Sequence, residues 1–111
     1  MNLTEDAMAQ TPEGRVKDQI RKLLRELGVW FYQPVQNGMG QVGIPDFVCC
    51  YDGRFVAIEA KAPGKVKDVT PNQQRVIDEI REHAGFAVVV YNVESLRQHL
   101  IAVAALNKLE N

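Results

Sequence analysis

From Thr11 onward the apolar residues repeat at helical spacing, with Val16, Ile20, Leu23, Leu24 and Leu27 forming one stripe. Thr11 supplies a cap, Pro12 suits the first helical position and Gly28 supplies a stop, so a helix is predicted between them. The next segment, VWFYQPV at 29–35, is aromatic and β-branched and reads as a strand, which Pro34 pushes toward an edge or an end. The glycine-containing run QNGMGQVG at 36–43 then reads as a turn rather than a phosphate cradle, since no helix start with a lysine follows it. IPDFVCCY and RFVAIEAKAP are two strand-like runs joined by Asp52-Gly53, a strong hairpin signal. TPNQQRVIDEIREHAG reads as a second helix, with Val76, Ile77, Ile80 and Ala84 inward and Gly85 at its end. FAVVVYN is apolar throughout, a strand with both faces covered, and VESLRQHLIAVAALNKL closes the chain as an amphipathic helix. The expectation is an α/β fold in the order α-β-β-β-α-β-α, with residues 1–10 a loose tail and 11–111 a single domain.

The hairpin turn fixes where the charges fall. If Asp52-Gly53 is a two-residue turn, Tyr51 pairs with Arg54, Phe47 with Ile58, and Asp46 lies opposite Glu59. Opposed residues of an antiparallel pair share a face, with Cβ atoms about 4.5–5.5 Å apart. Lys61 shares that face and lies diagonal to Asp46. Three ionisable groups therefore gather at one end of an otherwise apolar hairpin.

Two carboxylates so close repel, and unassisted one tends to keep its proton. A structural salt bridge, with Lys61 neutralising one acid, leaves the other uncompensated. A hard divalent cation removes the conflict, because carboxylate and carbonyl oxygens are the ligands that magnesium and manganese prefer. Such a cation, with Lys61 alongside, is the equipment of phosphodiester hydrolysis.

Composition narrows the partners. The 111 residues carry a formal net charge of −1, against coating nucleic acid by bulk charge, so any such contact is local. The one long basic stripe is the outer face of the first helix, with Arg15, Lys17, Arg21, Lys22 and Arg25. No apolar run approaches the roughly 20 residues of a membrane helix, so no membrane contact is expected. With no signal-peptide pattern, a cytoplasmic location is expected. The adjacent Cys49 and Cys50 point to opposite faces of a strand, which disfavours a disulfide, and both read as small core residues.

Pro45-Asp46 followed on the next strand by Glu59-Ala60-Lys61 resembles the PD-(D/E)xK nuclease superfamily, and a glutamine opening the following helix makes the chain most similar to its virus-type replication-repair nuclease branch, VRR-NUC. The resemblance spans about Thr11 to Tyr91. It implies a restriction-endonuclease-like core and a metal-dependent DNA endonuclease. Asp46, Glu59 and the main-chain carbonyl of Ala60 would bind Mg2+ or Mn2+, and Lys61 would activate or orient the attacking water. Gln73 would stand near the metal and Glu13 would assist. Where Ala60 stands the branch often has valine, which leaves the carbonyl unchanged. Gln73 and Glu13 also have structural readings, as the third position of a capping box begun by Thr70 and as an acid in a first helical turn. Gln74 is the fallback for Gln73, and His83 and His99 fall on helices away from the hairpin.

The resemblance further implies a stand-alone phage-type member, with no fused domain, that acts as a homodimer on four-way (Holliday) junctions in DNA repair. Lys61, Lys65, Lys67, Arg15 and Arg21 are the expected backbone contacts. Leu96, Leu100, Val103 and Leu106 on the last helix are either core or dimer surface. A restriction-type or flap nuclease on the same site, or a non-catalytic DNA-binding module, are the alternatives.

Overall fold

A computed structural model describes residues 11–35 and 40–110. The expected tail at 1–10 and positions 36–39 of the glycine run lie outside the described residues. The element order is the expected one: α1 (Pro12–Glu26), β1 (Trp30–Tyr32), β2 (Phe47–Tyr51), β3 (Arg54–Ala60), α2 (Pro71–Glu82), β4 (Phe86–Val90) and α3 (Val93–Glu110).

Local chemistry sets the boundaries. Thr11 caps α1 by accepting from the Gly14 N–H at 3.0 Å, and Thr70 caps α2 in the same way through Gln73. β1 is shorter than the 29–35 run suggests, ending two residues before Pro34. α2 ends at Glu82, and Ala84, expected inward, is exposed with a left-handed φ of 65° beyond the helix.

The four strands form one mixed sheet in the order β1-β2-β3-β4. β1 and β3 flank β2 antiparallel, whereas β3 and β4 run parallel because α2 carries the chain back across the sheet. The β2–β3 register is the one the turn dictates, with Tyr51 opposite Arg54 and Phe47 opposite Ile58. Asp52 at φ 51° and Gly53 at φ 78° supply the two left-handed residues of a type I′ hairpin turn.

Side-chain alternation gives the two sheet faces different neighbours. On one, Phe47, Cys49, Val56, Ile58 and Val90 pack against α1 and α3 in the main core, which takes in Ile20, Leu24, Leu96, Leu100 and Val103. Each such aliphatic side chain contributes about 1.5–3 kcal/mol by burial. The apolar stripe of α3 is therefore core up to Val103, while Leu106 remains partly exposed. On the other face a smaller cluster joins Ala57 and Ala87 to Ile77 of α2, so this helix covers β3 and β4. Cys50 on that face is exposed, correcting its reading as a core residue; Cys49 is buried, and both thiols are free. No helix among the described residues is long and apolar enough to cross a membrane.

Candidate active site

The charged end of the hairpin sits where β3 leaves the sheet and α2 begins. Asp46, immediately before β2, is fastened to β3 by the Ala60 N–H, which donates to its Oδ2 at 2.9 Å. That bond continues the hairpin past its last ladder pair and brings Asp46 beside Glu59, as the register requires. The methyl group of Ala60 belongs to the main core, so its main chain lies between that core and the acids.

Glu59 is only 3% exposed. Its Oε1 accepts from Gln73 Nε2 at 3.4 Å, and its Oε2 is buried with no hydrogen-bond partner among the described residues. Burial first, then the charge of Asp46 within hydrogen-bonding reach, push the Glu59 carboxyl up to about 8, against an opposing pull from Lys61. Two carboxylates face each other and neither has a proton to donate when ionised. A proton on Glu59 or a cation between the pair resolves this.

Lys61 is buried, at 9% exposure, and does not neutralise either acid directly: its Nζ donates to Gln73 Oε1 at 3.0 Å. Gln73 makes the capping bonds read from the sequence and also touches Lys61 and Glu59. Its Oε1 also accepts from the Thr70 N–H at 3.0 Å while its own N–H donates to Thr70 Oγ1 at 3.1 Å, completing the capping box. Fixed in this way, the amide turns its oxygen to Lys61 and its nitrogen to Glu59. Gln74 points elsewhere and donates to Asp78 at 2.9 Å.

The sequence reading missed Lys17 as a site residue. Its Nζ lies 3.3 Å from Asp46 Oδ1 and 3.3 Å from Glu13 Oε2, so Glu13 touches the site through this lysine. Burial alone would lower the Lys17 pKa, but the two acids together raise it. The signal was present as an i, i+4 pair of Glu13 and Lys17 on the first helix. What was not legible is that the same lysine reaches past the sheet end to Asp46.

The donor set fits a hard cation. Asp46 and Glu59 offer carboxylate oxygens, one of them the unpartnered buried Oε2. No group of three or more His, Cys, Asp and Glu able to hold a metal occurs among the described residues, so a cation here keeps water or substrate oxygens, as magnesium does. Of the expected DNA contacts, Lys65 and Lys67 are exposed on the segment after β3, and Arg15 shares a groove with Pro63 and Tyr91. Arg21 is turned away, held by Asp18 and by Gln33 Oε1 at 3.2 Å.

A family model described as the VRR-NUC domain matches residues 1–95 of the chain. No curated protein and no solved structure matches it.

Proposed function

The chain belongs to the VRR-NUC domain family, nucleases of the PD-(D/E)xK type whose substrate is DNA, and we propose that it is a Mg2+- or Mn2+-dependent, structure-selective DNA endonuclease, a four-way junction resolvase working as a homodimer. The observation that carries the metal-dependent reading is the buried, unpartnered Oε2 of Glu59 facing Asp46. Family members generally use divalent metals, and a pair of acids of which one is pushed by burial and mutual repulsion to hold its proton suits that chemistry.

Asp46 and Glu59 would hold the cation, joined by the main-chain carbonyl of Ala60. When bound, the cation offsets charge developing on a phosphoryl oxygen and acidifies an attacking water. Lys61, held by Gln73, places an ammonium beside the same phosphate, where it orients the water and stabilises the transition state. Lys17 holds Asp46 in place through its ion pair to Oδ1. Two symmetric cuts across a junction need two such sites, which a two-fold dimer supplies. Phosphate contacts by Lys65, Lys67 and Arg15 position DNA without reading sequence, which favours structure over sequence selectivity.

The test incubates the protein with labelled four-way junction, flap and linear duplex in magnesium, manganese or EDTA. Paired, metal-dependent cuts in the junction, lost in Glu59→Gln and Lys61→Ala, are expected. Cutting of flaps alone would replace the junction reading, and binding without cleavage under every metal would remove the enzymatic one.

A further inference from the structure

α2 covers only half of its sheet face. Ala57 and Ala87 lie beneath Ile77, but among the described residues no helix lies over the β1–β2 half of the same face. Trp30 stands there 63% exposed and Tyr32 53% exposed, opposite Cys50 and Val48 respectively. Val48 is two residues from Asp46 on the same strand, so Trp30, Tyr32 and the two acids share one face and the rings form a row leading to the site. Beside Tyr32, a shallow groove of about 330 Å³ is lined by Pro34, Ile44 and Val48.

We propose that this open half-face is a stacking platform for unpaired DNA bases, with Trp30 and Tyr32 as its rings, so that the strand whose phosphate enters the site lays its neighbouring bases on them. The proposal rests on the nuclease reading, which puts a DNA strand at Asp46 and Glu59. Alternate strand residues are about 7 Å apart, roughly twice the rise per base of a stacked strand, so the rings suit bases drawn out of their stack. The row of Trp30, Tyr32, Val48 and Cys50 carries no charged residue, which makes it a surface for base faces rather than phosphates. Continuity with the acids favours DNA over a second copy of the chain. The platform also gives a reason for structure selectivity: branch points and single-stranded arms offer unpaired bases, and intact duplex does not.

Trp30 is the single tryptophan of the chain, so its fluorescence reports on the platform directly. The full chain, in EDTA so that nothing is cut, is titrated with oligo(dT), with a duplex of equal length and with an abasic oligomer. Oligo(dT) is expected to quench the emission, and the abasic oligomer is not. Tyr32→Ala should weaken the titration about five- to a hundredfold. With a labelled oligonucleotide followed by anisotropy, Trp30→Ala should lose affinity by a similar factor and Trp30→Phe should regain part of it. Equal quenching by the abasic oligomer, or none by oligo(dT), overturns the platform. An emission shift that follows protein concentration without DNA also overturns it, by showing that a second copy covers the face. The nuclease reading is judged separately by cleavage in magnesium or manganese. Cleavage without quenching sinks the platform alone, and quenching without cleavage under any metal sinks the nuclease reading while the platform stands.

Discussion

Gln73 and Glu59 meet where helix joins sheet: Nε2 of the glutamine donates to Oε1 of the glutamate at 3.4 Å, while the same amide completes the cap of α2. One side chain thus ties the start of a helix to a proposed metal ligand and a proposed catalytic lysine. Substitutions here separate the two roles. Gln73→Ala should lose about 1 kcal/mol of stability with the cap and about ten- to a hundredfold in cleavage as Lys61 loses its holder. Gln73→Glu keeps a capping box but sets a third carboxylate against Glu59 and draws Lys61 into an ion pair. It should melt near wild type yet cleave poorly. Thermal melting beside cleavage rates checks this, and wild-type activity in Gln73→Ala would leave the glutamine a cap only.

The elevated Glu59 pKa gives a signed pH dependence. The carboxyl titrates near 8 in the fold against an ordinary value of 4.5, so the folded state holds the proton more tightly. Its contribution is complete below the ordinary value and disappears as pH rises through the folded one, a loss of up to a few kcal/mol. In EDTA the Tm should fall from about pH 5 to pH 8, and Glu59→Gln should flatten this part of the profile. Added manganese should raise the Tm of wild type at pH 8 but not that of Asp46→Asn. A flat EDTA profile would mean that the acids are relieved in some other way.

Lys17 is expected to matter less than Lys61. Its ion pairs are partly solvated, each worth about 0–1 kcal/mol, so Lys17→Ala should slow cleavage within about fivefold and leave Tm nearly unchanged. Lys61→Ala should abolish cleavage. Steady-state rates at saturating metal distinguish the two, and an inactive Lys17→Ala would promote this lysine to the reaction itself.

The end of α3 holds the hairpin turn from a distance. Buried Asn107 donates through Nδ2 to the Asp52 main-chain oxygen at 2.5 Å and to Asp52 Oδ2 at 2.8 Å, and Arg54 Nε donates to Asn107 Oδ1. Asn107→Ala removes these bonds and should cost about 1–3 kcal/mol in denaturant unfolding. Metal affinity, at the other end of the hairpin, should stay within error.

The hairpin was legible because two independent signals agree on it: a turn dipeptide sets the count and alternation sets the faces. From these came Asp46 opposite Glu59 with Lys61 alongside. Lys17 was not legible because helical spacing does not show that it reaches Asp46; Cys50 and Trp30 were not legible for a common reason. Alternation says that a strand has two faces, but not which stretch of each face a helix will cover, and that is decided by where α2 lands. Ala84 was misread because apolar spacing continues beyond the residue where the helix stops. The capping box of Gln73 was legible from its spacing and forms, whereas its bonds to Lys61 and Glu59 depend on where α2 lands.

The Asp52-Gly53 turn lies six residues from the acids along either strand, about 20 Å away. Its length nevertheless calibrates the site. One residue inserted there slips β3 against β2 by a single step, which puts Glu59 opposite Phe47 and sends the two acids to opposite faces. Among descendants of this chain, this distant hinge of two residues must keep its count for the nuclease to survive.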